Sequence, residues 1–239
     1  GCLSALDADS EGVEGKFYTW SKKETDALLT ADAAWFCKMY DISEHGNWEH
    51  TNILWLKKSL KEFANESEIS AVELEANCER CKALLFEKRK ERIRPATDDK
   101  ILLGWNALMI TALCKAGGAT ANGHYILSAE RKIKFLEENL YSEKKGWQHT
   151  WKNEEAKYPA FLDDLAYLMQ AYIQLQETTG KSDYLLKAKT LAGFVLQNFS
   201  DDETPFLFFT HQDQNDVIIR KKEVYDGAVP SGNAVMAHN

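Results

Sequence analysis

Apolar and polar positions alternate along this chain in a way that predicts two kinds of helix. Residues 98–117 are apolar almost throughout, between two acids and a glycine, which predicts a capped helix buried on most sides. Residues 124–140 have apolar side chains at spacings of three and four, with charged residues between them, which predicts an amphipathic helix. The same pair recurs as a mostly apolar segment, 164–176, and an amphipathic one, 183–199. Such alternation is expected when an outer ring of helices encloses an inner one.

The connections between these helices add a second regularity. Links from a buried helix to an amphipathic one are short, whereas the return links, 141–162 and 200–230, are long. A third buried helix begins at 230–235. If the inner helices run parallel, their N-termini and all the long links meet at one rim, the usual place for function on a rigid scaffold. Strand-like segments in the long links predict short β-hairpins there, at 147–151, at 206–210 and at 216–221.

The first hundred residues are also predicted to be largely helical. Capping boxes place helix starts at Ser21 and Ser70, and the spacing predicts helices over 21–40, with a break near Thr30, over 59–65 and over 70–93. We therefore predict an all-α fold, an incomplete (α/α)6 toroid of helical hairpins that forms a single domain over residues 1–239. The chain has no initial Met and ends within a helical pattern, so we expect it to be a fragment of a longer chain.

Composition restricts the partners. The net charge of −8 argues against nucleic acid or an anionic membrane as the main partner, and no apolar run approaches the ~20 residues that span a bilayer. Five Cys in no framework spacing are typical of reduced thiols, which predicts a cytoplasmic protein. The sequence contains no nucleotide-loop or metalloprotease motif, and we expect neither a cofactor nor a bound metal.

Acids and histidines at the predicted rim are the first candidates for chemistry. Paired carboxylates can act as acid and base on a glycosidic bond or hold sugar hydroxyls, whereas the alternative role for Asp at these positions is helix capping. Either of two loop histidines could be a general base, although a loop His is more often a surface residue. The predicted catalytic residues are Asp99, Asp164, Asp226, His149 and His211, and Asp163 is predicted to bind substrate.

Aromatic and amide side chains in the first turns of the inner helices are the second group of candidates. Trp and Tyr faces could stack on sugar rings and Asn could bind hydroxyls, or the same side chains could pack the core. The predicted substrate-binding residues of this kind are Trp105, Asn106, Tyr167 and Asn233. A third hypothesis, thiol redox chemistry at Cys78 and Cys81, rests on a spacing that also arises by chance on one helix face.

Four segments resemble a known family, the spermatogenesis-associated proteins that contain a thioredoxin domain. They are Ala-Leu-Asp-Ala-Asp-Ser-Glu-Gly-Val-Glu-Gly-Lys-Phe-Tyr-Thr-Trp at 5–20, the motifs within 94–109, and the segments 159–164 and 229–233. The resemblance implies a thioredoxin-like domain upstream and the remaining toroid helices downstream. It also implies a toroid similar to six-hairpin glycosidases and N-acylglucosamine 2-epimerases.

The leading functional hypothesis is therefore a carbohydrate-active toroid, either epimerase-like or glycoside-hydrolase-like. Its expected partner is a small carbohydrate bound at the rim, and replacing Asp164 by Asn is expected to abolish sugar turnover with little change in melting temperature. The alternative is a non-catalytic binding or scaffold domain that serves the upstream thioredoxin-like domain. An open acidic funnel at the rim would favour the first hypothesis, and a rim filled by protein side chains the second.

Overall fold

The computed structural model describes residues 1–214 and 216–239, which divide into two compact units. One, the N-terminal unit, is Leu6–Asp98. The other, the hairpin unit, combines Gly1–Ala5 with Asp99–Asn239. The single domain predicted over residues 1–239 stays a prediction.

The N-terminal unit is built mainly from short helices whose starts follow the predicted caps. The hydroxyl of Ser21 accepts from the backbone N–H of Glu24, and that of Ser70 from Glu73. A helix break at Thr30 appears as a single 3-10 turn, as predicted. The helices are α1 Lys22–Leu29, α2 Ala33–Met39, α3 Leu60–Glu66 and α4 Ala71–Lys90, and the short strands of this part of the chain are β1 Ala5–Leu6, β2 Asp9–Ser10, β3 Val13–Glu14 and β4 Thr97–Asp98. Strands β2 and β3 pair antiparallel.

The hairpin unit consists of alternating inner and outer helices. They are α5 Leu103–Thr120, α6 Gly123–Asn139, α7 Leu162–Thr179, α8 Ser182–Phe199 and α9 Gly232–His238. The inner helices α5, α7 and α9 pack side by side, with α6 and α8 outside them. This arc of helical hairpins is the predicted all-α, α/α-toroid class, and the alternating pattern of buried and half-exposed helices is its cause.

The inner helices run parallel, and their N-termini meet. Gly104 near the start of α5 bonds to Asp164 near the start of α7, while Cys114 farther along α5 lies against Thr178 near the end of α7. The outer helices are also parallel to each other. Along α6, Glu130 pairs with Lys181 and the later Glu137 pairs with the later Lys187. Both long links therefore return to the rim that carries the inner N-termini, as predicted.

The boundaries predicted for the first inner helix were wrong at both ends. It begins at Leu103 instead of residue 98 or 99, because Ile101 and Leu102 pair with strand β7, Gly146–Lys152, which satisfies their backbone groups in a sheet. It continues past Gly117 to Thr120. Gly117 lets α5 and α6 approach closely, because a Cβ at this position would lie 2.7 Å from Cγ1 of Ile126. The glycine serves helix packing instead of ending the helix.

The first long link contains a small antiparallel sheet whose central strand is β7. The strands are β5 Ile101–Leu102, β6 Tyr141–Ser142, β7 Gly146–Lys152 and β8 Glu155–Pro159, and β7 pairs with each of the others. The hairpin predicted at 147–151 is thus confirmed. In the second long link the described residues within 206–210 and 216–221 form no strand, although the N–H of Phe209 donates to the carbonyl of Lys221. Within the described part of the chain, none of the helices is long and apolar enough to cross a membrane.

Candidate functional site

The carboxylate of Asp164 joins three segments of the hairpin unit at the rim. It lies in the first turn of α7 with only 3% of its surface exposed. Its Oδ1 accepts the backbone N–H of Gly104 at 2.9 Å, and its Oδ2 accepts that of Phe161 at 3.0 Å. Oδ2 also lies 2.7 Å from Nδ1 of His149. One buried carboxylate therefore caps its own helix, caps α5 and holds an imidazole.

Asp163 makes the corresponding bond on the other side of α7. Its Oδ1 accepts the backbone N–H of Gly232, the first residue of α9, at 2.9 Å. The Asp pair at the start of α7 thus bridges both neighbouring inner helices, because each carboxylate satisfies an N–H that has no partner within its own helix. The predicted capping role is therefore present, but both carboxylates cap an adjacent helix, which the sequence did not suggest. The carboxylate of Asp164 also caps its own helix.

Burial makes Asp163 unusual among the acids of the rim. Desolvation raises the pKa of its carboxyl to about 6, although the bond from Gly232 lowers it, and the neighbouring Asp164 adds a further increase. In the folded state this group is therefore half protonated at mildly acidic pH, whereas in the unfolded chain it loses its proton near the ordinary Asp pKa of 3.8.

This difference predicts a pH-dependent effect of Asp163→Asn. Between pH 4 and pH 6 the carboxyl of Asp163 is protonated more often in the folded protein than in the unfolded chain, so its contribution to stability falls as the pH rises. The amide cannot titrate, and its oxygen can still accept from Gly232. At pH 7 we expect the variant to be more stable than wild type by about 1–2 kcal/mol, a value that allows for water around this partly buried carboxyl. Below pH 4 the difference should vanish.

Chemical denaturation of both proteins at several pH values measures this difference. The comparison cancels the titration of other groups, because only residue 163 differs. A variant less stable than wild type at pH 7 would contradict the prediction, since it would mean that the negative charge at the α9 terminus outweighs desolvation.

His149 is the predicted catalytic residue that the structure equips best. It lies on β7 with 28% of its side chain exposed, and its ring packs 5.0 Å from that of Phe161. A carboxylate only accepts hydrogen bonds, so we assign the proton to Nδ1, which leaves Nε2 as the nitrogen available to a substrate. Burial lowers the pKa of the imidazole, but the hydrogen bond and charge of Asp164 outweigh it and raise the pKa above the usual 6.5.

Asn106 and Asn233 lie near the same rim, but their amides hold the backbone. The buried Asn106 receives the N–H of Cys2 and donates to the carbonyls of Cys2 and Leu102. Asn233 receives the N–H of Leu207 and donates to the carbonyl of Leu207, and also to that of Glu223. Each amide thus fixes a chain segment against an inner helix. Their predicted role in binding substrate stays a prediction.

Tyr167 and Asp226 likewise form hydrogen bonds with the backbone near the end of the second long link. The hydroxyl of the buried Tyr167 donates to the carbonyl of Pro230. Burial, together with the nearby acids, raises the pKa of this phenol, which keeps its proton on the donor. Asp226 is exposed, and its Oδ1 accepts the N–H of Ser231 at 2.9 Å. Both contacts orient the segment that leads into α9.

The remaining predicted residues lie apart from the bonds of the Asp pair. Asp99 precedes β5 and forms an exposed ion pair with Lys152 at 2.5 Å. Trp105 is half exposed on the first turn of α5. His211 packs its ring on those of Phe194 and Phe199. The structure therefore brings Asp164 and His149 into one hydrogen-bonded pair with Asp163 beside them.

The thiol hypothesis loses its support in the N-terminal unit. Cys78 and Cys81 are buried on one face of α4, and both are free thiols. Burial raises the pKa of both, that of Cys81 to about 11, which keeps the thiols protonated at neutral pH. Protonated, inaccessible thiols are typical of helix packing.

Two glycines at the rim were missed as functional positions by the sequence reasoning. A Cβ on Gly104 would lie 2.8 Å from Oδ1 of Asp164, and one on Gly232 would lie 2.4 Å from Oδ1 of Asp163. Each glycine therefore allows its helix to approach a carboxylate of α7. The signal in the sequence is that each glycine falls near the start of a predicted inner helix. Glycine is unfavourable within a helix, so its presence there can indicate a close approach of another group.

Comparison with known proteins confirms the family resemblance. The chain is 30% identical over its whole length to an uncharacterized protein of Caenorhabditis elegans, of which it covers 37%. It is 27% identical, again over its whole length, to the mouse and human forms of spermatogenesis-associated protein 20. The chain spans about a third of the length of these curated relatives. No family model matches it.

Among solved structures, similar folds are found in two bacterial epimerases. A sugar epimerase from a ruminal bacterium matches 52% of this chain and 35% of its own at 17% identity, with a TM-score of 0.47. The cellobiose 2-epimerase of Bacillus thermoamylovorans matches 60% of this chain and 44% of its own at 14% identity, with a TM-score of 0.46. The architecture given above rests on the contacts of this chain itself.

Proposed function

We propose that this chain, a homologue of spermatogenesis-associated protein 20, catalyses proton transfer on a small carbohydrate, with His149 as the general base. The observation that carries the proposal is the 2.7 Å contact between His149 Nδ1 and Asp164 Oδ2. A buried carboxylate that fixes the tautomer of a partly exposed imidazole supports its use as a general base.

The geometry favours proton transfer over glycoside hydrolysis. Hydrolysis needs two carboxylates that flank the scissile bond. Here the carboxylates of Asp163 and Asp164 already accept backbone N–H groups of α9 and α5, and that of Asp164 is almost fully buried. The imidazole of His149 is the group of this cluster that retains both exposure and a titratable nitrogen. Removal of a proton next to a sugar carbonyl, the first step of epimerisation, requires one such base.

An isotope exchange experiment tests the proposal. The full-length protein is incubated in deuterated water with glucose and with cellobiose, and the C2 proton of the reducing sugar is followed by NMR. We expect the C2 signal to disappear with wild type and to do so about 10²–10⁴-fold more slowly with His149→Gln. The bonds of Asp164 to the backbone of Gly104 and Phe161 do not involve residue 149, so the fold should be retained. His124→Gln, on the exposed face of α6, is the matched control and should exchange like wild type.

The pH dependence gives a second readout of the same residue. The base must be neutral at Nε2, so exchange should slow as the pH falls through the raised pKa of His149, above 6.5. Exchange at equal rates in wild type and His149→Gln would overturn the assignment of the base. Folded protein without exchange on either sugar would favour the alternative function.

That alternative is a non-catalytic binding or scaffold domain that serves a thioredoxin-like domain of the same protein. The observation in its favour is that the polar side chains predicted to bind substrate are largely engaged by the protein itself: Asn106, Asn233, Asp163 and Tyr167 all bond to backbone groups. A rim held closed in this way suits a supporting domain.

A further inference from the structure

A cavity lies in the hairpin unit, next to the sheet of the first long link. It has a volume of about 800 Å³ and is lined by the C-terminal end of α6, by α7 and α8, by strands β6 and β7, and by residues within 211–214. Neither His149 nor Asp164 lines it, so it is separate from the proposed proton-transfer site. Its volume is in the range that holds a small organic molecule.

The cavity is apolar at its base and aromatic at its walls. Leu165, Leu191 and Phe199 form the base and are buried. Aromatic rings stand around them, those of Tyr141, Trp147, Phe194 and His211. The ring of His211 is stacked on that of Phe194 at 5.7 Å, which sets a flat surface at one side. Such walls favour a flat, apolar ligand over a hydrated one.

Polar groups of the cavity are mostly paired within the protein. Glu137 Oε1 accepts from the hydroxyl of Tyr172 at 2.9 Å and from the ammonium of Lys187 at 2.6 Å. His211 Nδ1 accepts the backbone N–H of Asp213 at 3.0 Å. The side-chain oxygen of Gln214, by contrast, is buried and has no hydrogen-bond partner among residues 1–214 and 216–239. A buried acceptor without a partner is costly, and a donor on a ligand would satisfy it.

We propose that this cavity binds a small, flat aromatic molecule with one N–H or O–H donor, which bonds to the side-chain oxygen of Gln214. The ring occupies the apolar base between Phe194 and Trp147, and the donor points towards residues 211–214. Sugars are poor ligands for this site, because its apolar base and aromatic walls offer few partners for several hydroxyls.

Binding of two matched probes tests the proposal. Indole has an N–H donor, and 1-methylindole has the same ring without it. Each is titrated into full-length protein with labelled leucine methyl groups, and the signals of Leu165 and Leu191 are followed by NMR. We expect both signals to shift, with indole binding about 3–10-fold more tightly than 1-methylindole, the effect of one neutral hydrogen bond. In Gln214→Leu the two affinities should become about equal.

Two tryptophan variants of α8 locate the site. Thr190→Trp places a large ring at the cavity mouth and should weaken indole binding by about tenfold or more. Leu196→Trp adds the same ring at an exposed position that does not line the cavity, and its affinity should match wild type. The proposal is overturned if indole shifts neither methyl signal, if Thr190→Trp binds indole normally, or if the probe preference persists in Gln214→Leu. Equal or tighter binding of glucose or cellobiose in the cavity would overturn the ligand class.

Discussion

Replacement of Asp164 by alanine is expected to lower the free energy of unfolding by about 3–5 kcal/mol. The change leaves the buried N–H group of Gly104 and the partly buried one of Phe161 without acceptors, and each such group costs about 1–3 kcal/mol. It also removes the partner of His149. Urea denaturation of the variant measures the loss.

A matched control separates this effect from a general loss of helix-terminal charge. Asp183 occupies the first turn of α8 but is exposed, and Asp183→Ala should cost less than about 1 kcal/mol, the usual contribution of a charge near a helix N-terminus. Similar losses in the two variants would mean that the buried bonds of Asp164 contribute little. Asp164→Asn should fall between wild type and alanine, because its amide can accept one of the N–H groups but not all three donors.

The bonds of Asp164 change how a catalytic test must be designed. From sequence, Asp164→Asn was expected to abolish turnover with little change in melting temperature. The structure makes Asp164 a structural residue of three elements, so loss of activity in that variant would not separate chemistry from folding. His149→Gln keeps these backbone bonds and therefore isolates the chemistry.

Gly104→Ala is expected to destabilise the protein by about 2–3 kcal/mol, although alanine favours helices more than glycine does. The added Cβ would lie 2.8 Å from Oδ1 of Asp164 and 3.1 Å from the ring of Tyr167. Both neighbours are buried and bonded, so α5 would have to move away from α7. The N–H bond to Asp164 would then lengthen as well.

Gly118→Ala in the same helix is expected to change the stability in the opposite direction. A Cβ at residue 118 meets no described atom within 4 Å, so the variant should be more stable than wild type by about 0.5–1 kcal/mol. Thermal denaturation of the two variants therefore gives shifts of opposite sign. A stabilised Gly104→Ala would contradict the close approach of α5 and α7 that the structure describes.

The sequence predicted the elements of the site better than their partners. The first-turn position of Asp163 and Asp164 and the strand at His149 could be inferred from local pattern, because a helix start and an alternating strand depend on neighbours in sequence. That Asp164 bonds to Gly104, 60 residues away, could not. Local pattern contains no information on which donor faces a carboxylate across two helices.

Boundary errors have the same origin. Residues 98–102 have an acidic, apolar pattern that suits a helix start, but pairing of Ile101 and Leu102 with β7 draws them into a sheet. Gly117 resembles a helix end, but its contact with Ile126 keeps it within the helix. In both cases a contact between distant segments outweighs a local preference of about 1 kcal/mol.

The sequence by itself determined the alternation of inner and outer helices, the rim to which the long links return, and the residue types gathered there. These follow from hydrophobic periodicity and link length, which are local properties. The tertiary structure alone decided which polar groups are satisfied internally. It engaged Asp163, Asp164, Asn106 and Asn233 in bonds to the backbone and left His149 partly exposed, because satisfaction of a buried polar group depends on atoms that only folding brings within 3 Å.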